Sequence, residues 1–407
     1  MTHPRKGPRP MPLHLMAAGM VSTSSSAALS LLRSGWTPWS KSLLPAGNAL
    51  QKELENVNPE AFSAAFLDEL NRRHAAFLDG LEKYRAHEYR RTLESPPVLW
   101  ESGSTRLLDY GATAPSAKSG RPILVIPSLV NRSYIMDLTA DRSFLRYLAA
   151  SGFRPMLVDW GSPGTADLHK SLDDYIADDL VSALGIATGM ANGPAVPVIG
   201  YCMGGTLATA LSVLQPGQVS ALVLMAAPWD FHADTDGPPP ALATAQPALE
   251  NQIAALGHLP VDTLQAMFFA LDPLQGWTKF QAFSAMKSGA AAAEIFVALE
   301  DWLNDGVPLA GAVARSCLFE WYGNNEPACG AWKIADRAID PAQISCPTLG
   351  VLPSEDRIVP SVSAQALVDE IPNTELLSPR AGHIGMMIGS KATTELWSPL
   401  SKWLSEH

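Results

Sequence analysis

Residues 199–205 read IGYCMGG, a thiol between two glycines at a point where the chain changes character. The run before it, Ala195–Val198, is short and apolar and reads as a buried strand. Thr206–Leu214 after it has helical spacing. A strand that turns straight into a helix bends too sharply for flanking side chains, and Gly200 and Gly204 supply the room; Gly205 extends that clearance into the helix. Turns of the form G-x-nucleophile-x-G usually carry serine. Here the central residue is Cys202.

From about residue 105, apolar runs alternate with helical stretches. Ile123–Pro127, Pro155–Val158, Val196–Ile199, Ala221–Met225 and Thr348–Leu352 are short and rich in branched residues, as buried parallel strands are. Ser143–Ala150, Leu172–Leu184 and Ser361–Glu370 have helical spacing between them. The alternation predicts an α/β fold with a mostly parallel, doubly wound sheet. Residues 228–341 break it, with a GPPP run at 237–240 and Ala- and Phe-rich helical stretches. This interval is expected to be a helical lid inserted over the strand ends, where open α/β sheets bind ligands. The catalytic core is then 96–227 together with 342–407.

Residues 1–95 form a separate, mostly helical segment in this reading. Asn58-Pro59-Glu60 is a helix start, with Asn as N-cap and Pro at the first helical position. Phe62, Phe66, Leu70, Phe77, Leu81 and Tyr84 recur behind it on one face, for packing or for a subunit interface. Further upstream, Arg5, Lys6 and Arg9 precede a mildly apolar stretch, Met11–Leu32, in the manner of a signal peptide. His14 and the Ser22–Ser26 run interrupt it, so neither secretion nor a transmembrane span is expected. An interfacial or partner-docking helix is the alternative.

The chain has 407 residues, 47% hydrophobic and 17% charged, with a net charge of −11. That is a globular composition, and its acidity argues against nucleic-acid binding, which needs clustered Lys and Arg. Cys202, Cys317, Cys329 and Cys346 show no metal-ligand spacing, so no metal site is expected and a reduced, cytoplasmic location is.

The strand–Cys202–helix pattern is that of the nucleophile elbow of α/β-hydrolases, with the Met203 N–H as one oxyanion donor. The bland alternative is a small buried hydrophobe, as most free cysteines are. In this fold an acid and then a histidine follow the nucleophile in the chain. PSEDRIVP offers Asp356, preferred to Glu355 at the strand end, and SPRAGHIGMM offers His383. His169, His232 and His258 lie outside the expected position, although His232 opens the lid region. The second oxyanion donor is expected from the loop 127–138, with Val130 N–H as candidate. Asn131 is expected to fix that loop. With Trp160, Tyr201, Trp229 and Arg357 it completes the candidate substrate-contacting set. Phe268, Phe269, Trp277, Phe280, Phe283, Trp302, Trp321 and Tyr322 could line an apolar tunnel, but aromatics of a helical insertion are more often core. Sulfur suits acyl transfer from a thioester, since one C–S bond is exchanged for a similar one. Whether water or a hydroxyl then accepts the acyl group stays open on these residues alone.

At these motifs the chain resembles the polyhydroxyalkanoate synthases. The similar stretches are IPSLVNRSYIMDL (126–138), GFRPMLVDWGSPG (152–164), GYCMGG (200–205), LVLMAAPWDF (222–231), EDRIVP (355–360) and GHIGMM (382–387). The resemblance implies a short, class III-like catalytic subunit in which Cys202 is acylated, His383 is its base and Asp356 assists. It implies a 3-hydroxyacyl-CoA thioester as substrate and a polyester chain as acceptor, with no cofactor. It also implies a homodimer formed through the lid region, a second synthase subunit or granule proteins as partners, and a place at the polyester granule surface. Arg357 is then a candidate for a CoA phosphate, with facing solvent as the alternative. An intracellular depolymerase or acyl-CoA thioesterase would use the same three residues.

Overall fold

The computed structural model describes residues 5, 7–191, 193–235 and 237–407; Lys6, one of the basic residues above, lies outside them. The chain forms two compact units, one of Met1–Arg90 with Gln265–Asn304 and one of Arg91–Leu264 with Asp305–His407.

The larger unit is built on an eight-stranded sheet. Its strands are β1 (Val98–Ser102), β2 (Thr105–Asp109), β3 (Arg121–Ile126), β4 (Phe153–Asp159), β5 (Val196–Tyr201), β6 (Val219–Met225), β7 (Thr348–Val351) and β8 (Thr374–Leu377). Their spatial order is β1-β2-β4-β3-β5-β6-β7-β8. β2 pairs antiparallel with β1 and β4, and the other neighbours run parallel. Central strands are covered on both faces: every residue of β5 and β7 is buried, as their continuous apolar runs require. This is the α/β-hydrolase fold. The β1–β2 hairpin is an addition to the expected set, since Val98–Ser102 is half polar and only partly buried.

The smaller unit begins with α1 (Met11–Ser34), α2 (Leu44–Leu54) and α3 (Pro59–Ala86). Asn58 caps α3 as expected, its Oδ1 accepting from the Glu60 and Ala61 amides at 2.9 and 3.0 Å. Only the C-terminal half of the expected apolar face of α3 is buried. Phe77, Leu81 and Tyr84 pack with Trp277, Phe280, Phe283, Ala293 and Val297 from the helices Gln275–Ser284 and Ala291–Asn304. Gly80 lets α3 approach the backbone there, since a Cβ in its place would sit 2.0 Å from Phe280 O.

Two expectations about organisation therefore change. The interval 228–341 is not one lid, because 265–304 carries an apolar face that the N-terminal helices bury, leaving 228–264 and 305–341 in the hydrolase unit. The N-terminal segment is accordingly not self-contained. Trp277, Phe280 and Phe283 are core of the smaller unit, as the bland reading of those aromatics has it. α1 is long and apolar enough by length and composition to cross a membrane, a test that a signal sequence near an N-terminus also passes.

Candidate active site

Cys202 sits between the end of β5 and the helix Met203–Leu214, at φ 56° and ψ −132°. Such a conformation costs a non-glycine residue roughly 1–3 kcal/mol and persists only when its surroundings fix it. Here the Cys202 amide donates to Met225 O on β6, and Cys202 O accepts from Gly205 N, both at 2.8 Å. The glycines make the turn sterically feasible. A Cβ at Gly204 would lie 2.2 Å from Ile126 O, and one at Gly205 2.4 Å from the Ala227 Cβ. The thiol is thereby presented at the start of a helix, partly exposed, against the cluster of Leu352, Val359, Ala364 and Val368. Met203 contributes one of the helix's N-terminal amides, which have no partner within the helix.

His383 and Asp356 converge on the same point. Asp356 follows β7, and its Oδ1 accepts from the amides of Ile358 and Val359 at 2.8 and 3.0 Å. Its Oδ2 lies 2.7 Å from His383 Nδ1, with both side chains buried. That bond leaves Nε2 as the ring nitrogen for other chemistry. Burial opposes a charge on His383. The charge and hydrogen bond of the Cys202 sulfur, together with Asp356, outweigh it and hold the imidazole above its ordinary range. The arrangement places an imidazole, steadied by a carboxylate, beside the thiol. Glu355 points elsewhere, into an exposed ion pair with Arg380 at 3.1 Å.

A family model described as alpha/beta hydrolase fold matches residues 121–390, which include all three side chains. A second, described as Poly-beta-hydroxybutyrate polymerase (PhaC) N-terminus, matches residues 92–148. The Poly(3-hydroxyalkanoate) polymerase subunit PhaC of Allochromatium vinosum is 32% identical over 296 residues, 70% of this chain and 81% of that protein. The chain belongs to this polymerase family. The PhaC subunit of Synechocystis sp. is 30% identical over 298 residues, covering 70% of this chain and 78% of that one. The PhaC subunit of Haloferax mediterranei is also 30% identical, over 76% of this chain, which spans 63% of that relative's length.

The remaining candidates divide by what they touch. Trp160 is nearly buried, donates from Nε1 to Pro127 O at 3.1 Å, and lines a small cavity with Leu129, Tyr175 and Val307. Asn131 takes a left-handed conformation, φ 66°, within the loop after β3. Arg357 is exposed beside Asp356. Three candidates are differently employed. The Val130 amide donates to Ser128 Oγ at 3.0 Å inside its own turn, so that donor is already engaged. Tyr201 stacks on His383 at 5.2 Å and donates its hydroxyl to His383 O at 3.2 Å. Both its ring and its hydroxyl are thus engaged with His383. Trp229 is fully buried, its indole N–H donating to Glu370 Oε1 and its ring against Trp332, so it forms no open wall. Among the described residues no group of side chains could hold a metal ion.

Tyr322, one of the aromatics that could line a tunnel, lies near the thiol. Burial and then the Cys202 sulfur hold its hydroxyl above the ordinary range. Its ring meets Phe231 edge-on at 4.7 Å, and its carbonyl lies 2.9 Å from His232 Nε2. Asn325, at φ 55°, ties this segment down by bonds to Phe231 N and Asp230 Oδ1. The Asn324–Asn325 pair marks a chain reversal in the sequence, but nothing in its spacing points back to residue 202.

Proposed function

We propose that this polymerase-family chain is a polyhydroxyalkanoate synthase that carries 3-hydroxyacyl groups on Cys202. The observation that supports it is the elbow thiol facing His383, itself bonded to Asp356 at 2.7 Å. In the first half-reaction, Sγ attacks the thioester carbonyl of a 3-hydroxyacyl-CoA, and the oxyanion forms toward the Met203 N–H. Collapse breaks the C–S bond to CoA, whose sulfur takes the proton held by His383. In the second, neutral His383 takes the proton of the hydroxyl that ends the growing polyester. That oxygen attacks the acyl-Cys202 carbonyl and releases the thiolate. Both carboxylate oxygens of Asp356 are engaged, one by His383 and one by backbone amides. This favours a positioning role for Asp356 over activation of the incoming hydroxyl.

On this reading no cofactor is required. The assembly is a homodimer or a pair with a second synthase subunit, and the site of action is the surface of a polyester granule in the cytoplasm. The test incubates the purified chain, alone and with candidate partner subunits, with 3-hydroxybutyryl-CoA while CoA and insoluble polymer are followed. Polymer formation that disappears in Cys202→Ala is the expected result. CoA release with only free 3-hydroxybutyrate would identify a thioesterase instead, and loss of added polymer a depolymerase.

A further inference from the structure

The N-terminal helices carry a surface that neither the fold nor the catalytic site uses. No Asp or Glu occurs before Glu53, whereas Arg5, Lys6, Arg9, Arg33, Lys41 and Lys52 all do, in a chain whose net charge is −11. Within this segment α1 has no charged residue from Met11 to Leu32. It buries one face: Ala17 and Ala18 are enclosed, and Met11, Ala18 and Val21 join the core of the smaller unit. The opposite face is open, with Leu15 45%, Met16 61% and Met20 66% exposed, and Trp36 just past the helix end 80% exposed.

Most hydroxyls of α1 are already paired within the helix. Thr23, Ser24 and Ser26 donate their hydroxyls to the carbonyls of Gly19, Met20 and Ser22, four residues back, and Ser30 and Ser34 bond three back. A hydroxyl already paired within its helix adds little to the cost of leaving water. Arg33, Lys41 and Lys52 stand exposed around the same segment. Apolar surface, a tryptophan at the helix end and flanking cations, with no acid before Glu53, are the features by which a helix lies in an anionic lipid interface.

We propose that α1 and the cationic segment after it dock this protein flat on an anionic phospholipid surface. A spanning orientation is at odds with the packed face, since Ala17 and Ala18 are already committed to the protein core. A second copy is a poorer occupant. An isologous contact centred on α1 would bring Arg33 and Lys41 of both copies together, and residues 1–52 hold no acid to pair with them.

Flotation of the full-length protein with vesicles of phosphatidylcholine, and of phosphatidylcholine doped with phosphatidylglycerol, tests this. Binding is expected only to the anionic vesicles and is expected to fall as salt is raised. Neutralising Arg33, Lys41 and Lys52 to Gln should weaken it about fivefold for each charge removed. Met16→Glu with Met20→Glu should abolish it while leaving the melting midpoint in solution unchanged, since both side chains face outward. Equal flotation with neutral vesicles, or none with anionic ones, overturns the proposal. So does a dimer that the double glutamate variant dissociates without any flotation of the parent. Should that variant misfold, the salt dependence and the Gln series decide.

Discussion

Asp356 shows how little of a catalytic site is decided by the reacting atom alone. Its two oxygens hold His383 Nδ1 on one side and two backbone amides on the other, so the ring can turn only by breaking a buried, charge-assisted bond. Asp356→Asn keeps the volume but offers the imidazole a donor or a weaker acceptor, and the ring loses the carboxylate that orients it and supports its charge. Turnover of 3-hydroxybutyryl-CoA is expected to drop about 10²-fold or more, checked by the rate of CoA release against an unchanged thermal melt. That Cys202, Asp356 and His383 converge was legible in the sequence because each follows the end of a strand of the sheet, in the chain order this fold uses. The roles of Val130, Tyr201 and Trp229 were not. Each depends on a partner that no local pattern encodes: a hydroxyl two residues back, the carbonyl of His383, a glutamate on the helix Ser361–Glu370.

The elements divide in the same way. The buried strands could be read because a strand covered on both faces needs a continuous apolar run. The β1–β2 hairpin was missed because a half-exposed edge mixes its residues. Helix packing in the smaller unit adds a constraint that composition hides, at Gly80. Gly80→Ala would place a methyl 2.0 Å from Phe280 O, a carbonyl on rigid helix backbone. The helices must separate, which is expected to cost about 1–3 kcal/mol despite the better helix former; differential scanning calorimetry reads it as a lowered midpoint. A second feature of these helices is His14, half-buried beside Lys279, with an enclosed and unpartnered Nδ1. Burial, and then the lysine's charge, lowers its pKa from 6.5 to about 4. The folded state thus binds fewer protons than the unfolded one between those values. The stability tied to neutral His14 is full above the ordinary imidazole range and is lost as pH falls toward 4. His14→Gln should therefore show a shallower fall of melting temperature from pH 7 to pH 4.5 than the parent, whereas equal slopes would show that His14 is not the group responsible.

For the molecule as a whole, the decisive fact is that the smaller unit is discontinuous, with residues 265–304 folded against helices formed about two hundred positions earlier. Periodicity identifies which face of a helix is apolar and says nothing of which distant helix covers it, so a segment interrupting the hydrolase pattern read naturally as a lid. The structure instead makes Trp277, Phe280, Phe283 and Val297 part of a core whose other half is Phe77, Leu81 and Tyr84. Partly buried polar pairs tie the same two segments: Arg5 Nε to Asp301 Oδ1 at 2.6 Å, and Tyr84 Oη to that same oxygen at 3.0 Å. Deleting residues 1–90 would uncover these aromatics and leave Asp301 without either partner. Helices of ten and fourteen residues do not hold themselves together in water without such cover. The truncated chain is expected to aggregate or, if recovered, to lose hydrogen-exchange protection over 275–304 while β5 and β6 keep theirs. Undiminished protection of 275–304 in a soluble truncated monomer would mean that this segment folds without the N-terminal helices, and that the division of the chain lies elsewhere.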